Sequence, residues 1–151
     1  MQDIEKLLSE GNSIQFKPQG WSMYPTLTPG RDEVIVSPID AEKRLKRGDV
    51  VLYRRWKENG EKDILVLHRI WKVSKQGIYL VGDNQKEIEG PLVMEQMLGI
   101  AEVLIIKGKK ISVNNRWYRF RSKIWLCLRP IRPVISKIVA KIKKIFGKKE
   151  K

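Results

Sequence analysis

Apolar and polar residues alternate in three different rhythms along the chain. Over residues 3–10, Ile4, Leu7 and Leu8 recur at helical spacing and Gly11 stands where a helix would stop, which predicts a short amphipathic helix. Apolar residues then gather in short runs rich in Val, Ile and Tyr, at 33–37, 49–54, 64–73, 78–81 and 98–106. Turn formers separate these runs: Pro29-Gly30, Arg47-Gly48-Asp49, Asn59-Gly60, Gln76-Gly77, Gly82-Asp83-Asn84, Gly90-Pro91 and Lys107-Gly108. The pattern predicts a mainly β body, barrel-like or built from two sheets. After Asn115 the period is helical again, with Trp117, Phe120, Ile124 and Leu128 one or two turns apart until Pro130 interrupts. A second helix is expected over 133–146. Val134, Ile135, Ile138, Val139, Ile142, Ile145 and Phe146 form its apolar stripe, and Lys137, Lys141, Lys143 and Lys144 fill much of the other face.

Length and charge sharpen this division. A chain of 151 residues suits one domain of ~100–150 residues plus an appendage. The net charge is +14, but residues 1–115 carry only +2 of it (18 Lys and Arg, 16 Asp and Glu) and residues 116–151 carry +12. The chain therefore reads as a nearly neutral β domain, 1–115, followed by a basic amphipathic helical tail, 116–151. Such a tail suits either nucleic acid or anionic lipid, and its unbroken apolar stripe favours a membrane interface over phosphate contacts. Each basic residue near an anionic surface adds about 1 kcal/mol, and Trp117, Tyr118 and Trp125 suit the headgroup level. Residues 1–20 show neither a signal peptide nor a transmembrane run, so no N-terminal tether is expected. The single cysteine, Cys127, provides no intrachain disulfide and no cysteine-based metal site.

Candidate chemistry centres on a segment that cannot be a regular strand or helix, Gly20-Trp21-Ser22-Met23-Tyr24-Pro25-Thr26-Leu27-Thr28-Pro29-Gly30. Gly and Pro bracket Ser22, the setting a nucleophilic hydroxyl needs if it is to be presented at a fixed angle to backbone oxyanion donors. A serine requires a base, and the one histidine, His68, sits in the apolar run Leu65-Val66-Leu67-His68-Arg69-Ile70. A polar side chain there needs a partner, because an unpaired buried imidazole is costly. A third group usually fixes the tautomer of such a base. By residue type Asp83, in the turn Gly82-Asp83-Asn84, is the first choice.

These pieces, in this order, resemble the type I signal peptidases and the related self-cleaving domains of SOS-type repressors. The resemblance rests on Gly20-Trp21-Ser22-Met23-Tyr24-Pro25-Thr26-Leu27, Pro29-Gly30-Arg31-Asp32-Glu33-Val34-Ile35-Val36, Arg47-Gly48-Asp49-Val50-Val51, Leu67-His68-Arg69-Ile70, Gly82-Asp83-Asn84 and Leu98-Gly99. It implies a signal-peptidase-like β-barrel or β-clip body and a serine endopeptidase that uses neither metal nor cofactor, with Ser22 as nucleophile, His68 as base and Asp83 as orienting acid. Most bacterial members carry lysine at the base position, so His68 is similar to the endoplasmic-reticulum branch, where an acid downstream of the Gly-Asp motif is often the third group. Glu87 and Glu89 occupy that stretch here and remain alternatives to Asp83. Glycine at position 20 lacks the hydroxyl that lysine-type relatives can add to the oxyanion hole, leaving the Ser22 N–H as donor. Trp21 replaces a small residue and is expected to narrow or cover the cleft.

The substrate implied is an extended signal or leader peptide, or a similar peptide, laid along a strand edge at a membrane surface. The polybasic tail suits peripheral attachment to the cytoplasmic face. The competing class is a self-cleaving or non-catalytic repressor-like module. Residues 1–20 are too short for a helix-turn-helix, which argues against it.

Overall fold

The structure, a computed structural model, describes residues 2–40, 44–56 and 63–129. The turn expected at Asn59-Gly60 and the helix expected over 133–146 lie outside the described residues. The chain opens with helix α1, Gln2–Ser9, whose first turn holds Asp3 and Glu5 and whose last holds Lys6, a charge order that complements the helix dipole. Gly11 ends it in the left-handed region at φ 86°. Of the three expected inward residues, Leu8 is buried and Ile4 packs on the core, while Leu7 is exposed.

Eight strands follow: β1 (Ile14–Phe16), β2 (Glu33–Pro38), β3 (Val50–Arg55), β4 (Ile64–Ser74), β5 (Gly77–Val81), β6 (Glu89–Leu92), β7 (Met97–Ile106) and β8 (Lys109–Ser112). They form one open antiparallel sheet in the order β1-β2-β7-β3-β4-β5-β6, with β8 also paired to β7. All five expected strands are present. Three more, β1, β6 and β8, are only three or four residues long, and β6 contains the Gly90-Pro91 pair that reads as a turn. As an edge strand β6 tolerates proline, whose missing N–H removes no interior ladder bond.

Alternation along the strands divides the core into two layers. Val50 and Leu52 of β3 and Leu67 of β4 join Leu8, Met23, Leu27, Val34, Val36 and Leu104 in one cluster. Val51 and Tyr53, one residue out of phase, join Ile70, Ile78, Leu80, Met97 and Ile100 in the other. Full burial of each such side chain contributes roughly 1.5–3 kcal/mol. In the β3–β4 register Val51 faces His68 and Val50 faces Arg69. The two adjacent polar residues of β4 are thus directed into different layers.

A second helix, α2 (Arg116–Cys127), begins at Asn115, whose side-chain oxygen accepts from the N–H groups of Trp117 (2.8 Å) and Tyr118 (3.4 Å). Ser122 and Leu126 are buried beneath it, whereas Trp117, Phe120 and Ile124 are exposed. The apolar stripe legible in the sequence is therefore largely exposed, with Trp117 and Ile124 bordering a cleft against the β body. Among the described residues no helix is long and apolar enough to cross a membrane.

Candidate functional site

Ser22 occupies the middle of a short 3-10 turn, Trp21–Met23, closed by the Tyr24 N–H donating to Trp21 O at 3.1 Å. The residues after it are anchored in the core by Met23 and Leu27, each 1% exposed. Asp32, fully buried, fastens the far end of the loop by accepting from the Thr28 N–H (2.8 Å), the Lys107 N–H (3.1 Å) and the Arg31 guanidinium (2.8 Å). Arg31, helped by the two backbone donors, holds this carboxyl far below the usual carboxylate range against the opposing effect of burial. On the other side, Ser22 O accepts from the Asn84 N–H at 2.7 Å. Gly82 is required for that approach, since a Cβ there would stand 2.8 Å from Ser22 O and 2.7 Å from Gln85 Oε1.

His68 is 1% exposed. Its Nδ1 lies 3.2 Å from the Tyr53 hydroxyl and 3.4 Å from Glu89 Oε1, while its buried Nε2 has no hydrogen-bond partner. Burial pushes the imidazole down to about 4, with the attraction of Glu89 opposing and Arg55 reinforcing the shift, so the ring is neutral at pH 7. Glu89 is itself clamped: both Arg55 Nε (2.8 Å) and Nη2 donate to it, as does the Tyr53 hydroxyl (2.6 Å). Because Glu89 in β6 meets Tyr53 and Arg55 in β3, with β4 and β5 between, the sheet curves around this cluster.

Asp83, expected to orient His68, adds a charge that favours the protonated ring, and its hydrogen bonds run to Arg69 and Thr26. Its carboxylate receives Arg69 Nε (2.8 Å) and Nη2 (2.7 Å) in a bidentate pair and the Thr26 hydroxyl at 2.5 Å. Arg69 is buried and also donates to Gly48 O (2.9 Å), Ser122 Oγ (3.0 Å) and the Tyr118 hydroxyl (3.3 Å), so one guanidinium joins α2 to the turns flanking Ser22 and β3. Burial works against the charge of Arg69, but Asp83 and Tyr118 outweigh it. Of the three acids considered from the sequence, the one at the His68 ring is Glu89. Tyr53, which no sequence feature singles out, completes its surroundings.

Ser22 and His68 line one cavity of about 340 Å³, together with Lys17, Pro18, Gly20, Leu65, Val66 and Gln85. No hydrogen bond joins Ser22 Oγ to His68 among the described residues, a common state for catalytic pairs without substrate. The cavity sits where β5 ends. β5 pairs with β4 only from Arg69 onward, so residues 64–68 keep one β4 edge without a strand partner among the described residues. Trp21 is 60% exposed and packs on Tyr24 with ring centroids 5.6 Å apart; it does not line the cavity, contrary to the expected narrowing. Its backbone turns the side chain outward while Met23 takes the inward position. A larger cleft of about 610 Å³ lies between Pro25, Thr26, Ile106, Ile111 and α2, but it contains no histidine to act as a base. Among the described residues no group of three or more His, Cys, Asp or Glu side chains is placed to hold a metal ion. Comparison with known proteins adds nothing to this geometry, as no protein-family model, no curated protein and no solved structure matches the chain.

Proposed function

We propose that the protein is a serine endopeptidase of the signal-peptidase kind, with Ser22 as nucleophile and His68 as general base. The observation that carries the reading is the pairing, around one cavity, of a serine held on a fixed turn with a buried neutral imidazole whose Nε2 is unengaged. In the reaction His68 Nε2 takes the Ser22 proton as Oγ attacks a peptide carbonyl. The imidazolium then protonates the leaving amine, and a water activated by the same ring hydrolyses the acyl-enzyme. The Ser22 N–H is the candidate oxyanion donor.

The open β4 edge beside the cavity supports an extended substrate added as a strand, where main-chain hydrogen bonds supply affinity and the cavity receives alternate side chains. The curvature of β3 to β6 around Tyr53 and Glu89 supports a barrel- or clip-like body of the same family. A membrane surface as the place of action is supported by Trp117, Phe120 and Ile124, exposed on α2 beside Arg116, Arg121 and Lys123, and by Trp21 and Tyr24, exposed next to the nucleophile. Leader or signal peptides processed at an anionic, cytoplasmic-facing bilayer are the corresponding substrates. Cleavage of a peptide library by the full chain with anionic vesicles, in parallel with Ser22→Ala and His68→Ala, tests the assignment.

A further inference from the structure

We infer that Tyr53 is the positioning residue that sets the His68 tautomer, passing the influence of Glu89 to the ring through its hydroxyl. The argument is one of donors and acceptors around Nδ1. A tyrosine hydroxyl has a single proton. Here it is directed to Glu89 Oε2 at 2.6 Å, the shortest contact the group makes. The hydroxyl oxygen accepts from Arg55 Nη2 at 3.2 Å and has one lone pair left, facing His68 Nδ1 at 3.2 Å. The other neighbour of Nδ1, Glu89 Oε1 at 3.4 Å, receives Arg55 Nη2 and is likewise an acceptor. Every polar atom beside Nδ1 therefore calls for a proton on Nδ1.

A neutral imidazole has one N–H, so placing it on Nδ1 leaves a bare lone pair on Nε2. Nε2 is the atom without a hydrogen-bond partner, on the residue that shares the cavity with Ser22. Burial and Glu89 both raise the Tyr53 hydroxyl above the ordinary phenol range, so its own proton stays in place across the physiological range. The Tyr53 oxygen, at 3.2 Å, also stands closer to the ring than Glu89 Oε1 at 3.4 Å, which gives the orienting role to the phenol backed by a clamped carboxylate.

The tautomer can be measured without any substrate, because His68 is the only histidine in the chain. Long-range ¹H–¹⁵N correlation of the full-length protein at pH 7 is expected to show a pyrrole-type Nδ1 and a pyridine-type Nε2. In Tyr53→Phe, loss of the nearest acceptor is expected to raise the share of the Nε2–H form by several-fold, a net hydrogen bond being worth roughly 1 kcal/mol. A wild-type spectrum showing Nε2–H overturns the inference by itself, even if the variant does not fold. So does an unchanged tautomer ratio in folded Tyr53→Phe. The catalytic consequence rests on the peptidase reading: Tyr53→Phe should lower kcat at nearly constant KM, by no more than the several-fold change in tautomer ratio, since the wrong tautomer cannot accept the serine proton. A wild-type protein with the Nδ1–H tautomer but no cleavage would count against the peptidase and leave the tautomer assignment standing.

Discussion

Arg69 and Asp83 form a bidentate ion pair in which both side chains are at most 1% exposed, at 2.7 and 2.8 Å. Arg69 follows His68 directly in sequence yet lies on the other face of β4. The pair ties Asp83 to the fold through Arg69. Asp83→Asn should lower unfolding free energy by roughly 3–5 kcal/mol, the usual cost of leaving a buried charge without its partner. Urea denaturation is expected to show a lower midpoint with an unchanged slope. Near-wild-type stability with a collapsed kcat would instead return Asp83 to the catalytic site.

Much of the site was legible from residue type and local setting. Ser22 stands out because glycine and proline exclude regular structure around it, and His68 because it interrupts an apolar strand. The third group was not legible. Asp83 fits by type, but strand alternation sends Arg69 and not His68 toward it, and Glu89 reaches the ring only because the sheet curves. Tyr53 reads as an ordinary strand aromatic until the β3–β4 register places it on the His68 face. The strand runs were found where they exceed four residues; β1, β6 and β8 are too short for a period to show. In α2, hydrophobic spacing located the helix but not its buried face, because Tyr118 and Ser122 are held inward by Arg69 rather than by apolar packing alone.

Acid should destabilise the protein through His68. Its folded value is about 4, below the ordinary 6.5, so between those values the unfolded chain binds the proton that the folded chain refuses. Stability is complete above pH 6.5 and is lost as pH falls toward 4, by roughly 3 kcal/mol over that window. Urea titrations at pH 7 and pH 4.5 should differ by less in His68→Ala than in wild type. Equal pH dependence in the two proteins would show that His68 is not the group responsible.

Gly82→Ala tests the approach between the two turns. The added Cβ would meet Ser22 O at 2.8 Å, so the backbone must separate and the Asn84 N–H bond to Ser22 O must lengthen. A loss of about 1–3 kcal/mol in stability is expected from such overpacking, with kcat reduced more than KM is raised because the nucleophile is displaced. An alanine variant with wild-type melting and kinetics would show that Ser22 does not depend on this contact.

Membrane attachment through α2 predicts that Trp117→Ala with Phe120→Ala weakens partition into anionic vesicles by roughly tenfold or more, given the apolar area the two rings present. Both residues are exposed and the double variant should melt as wild type does. Co-sedimentation unchanged by the substitutions would remove this face from the membrane contact.

The most direct test of the central claim is cleavage of a short-peptide library by the purified full chain with anionic vesicles, comparing wild type, Ser22→Ala and His68→Ala. The account predicts cleavage by wild type and, in each folded variant, a loss of at least about a thousandfold. Equal cleavage by all three proteins, or turnover retained in folded Ser22→Ala, would contradict it.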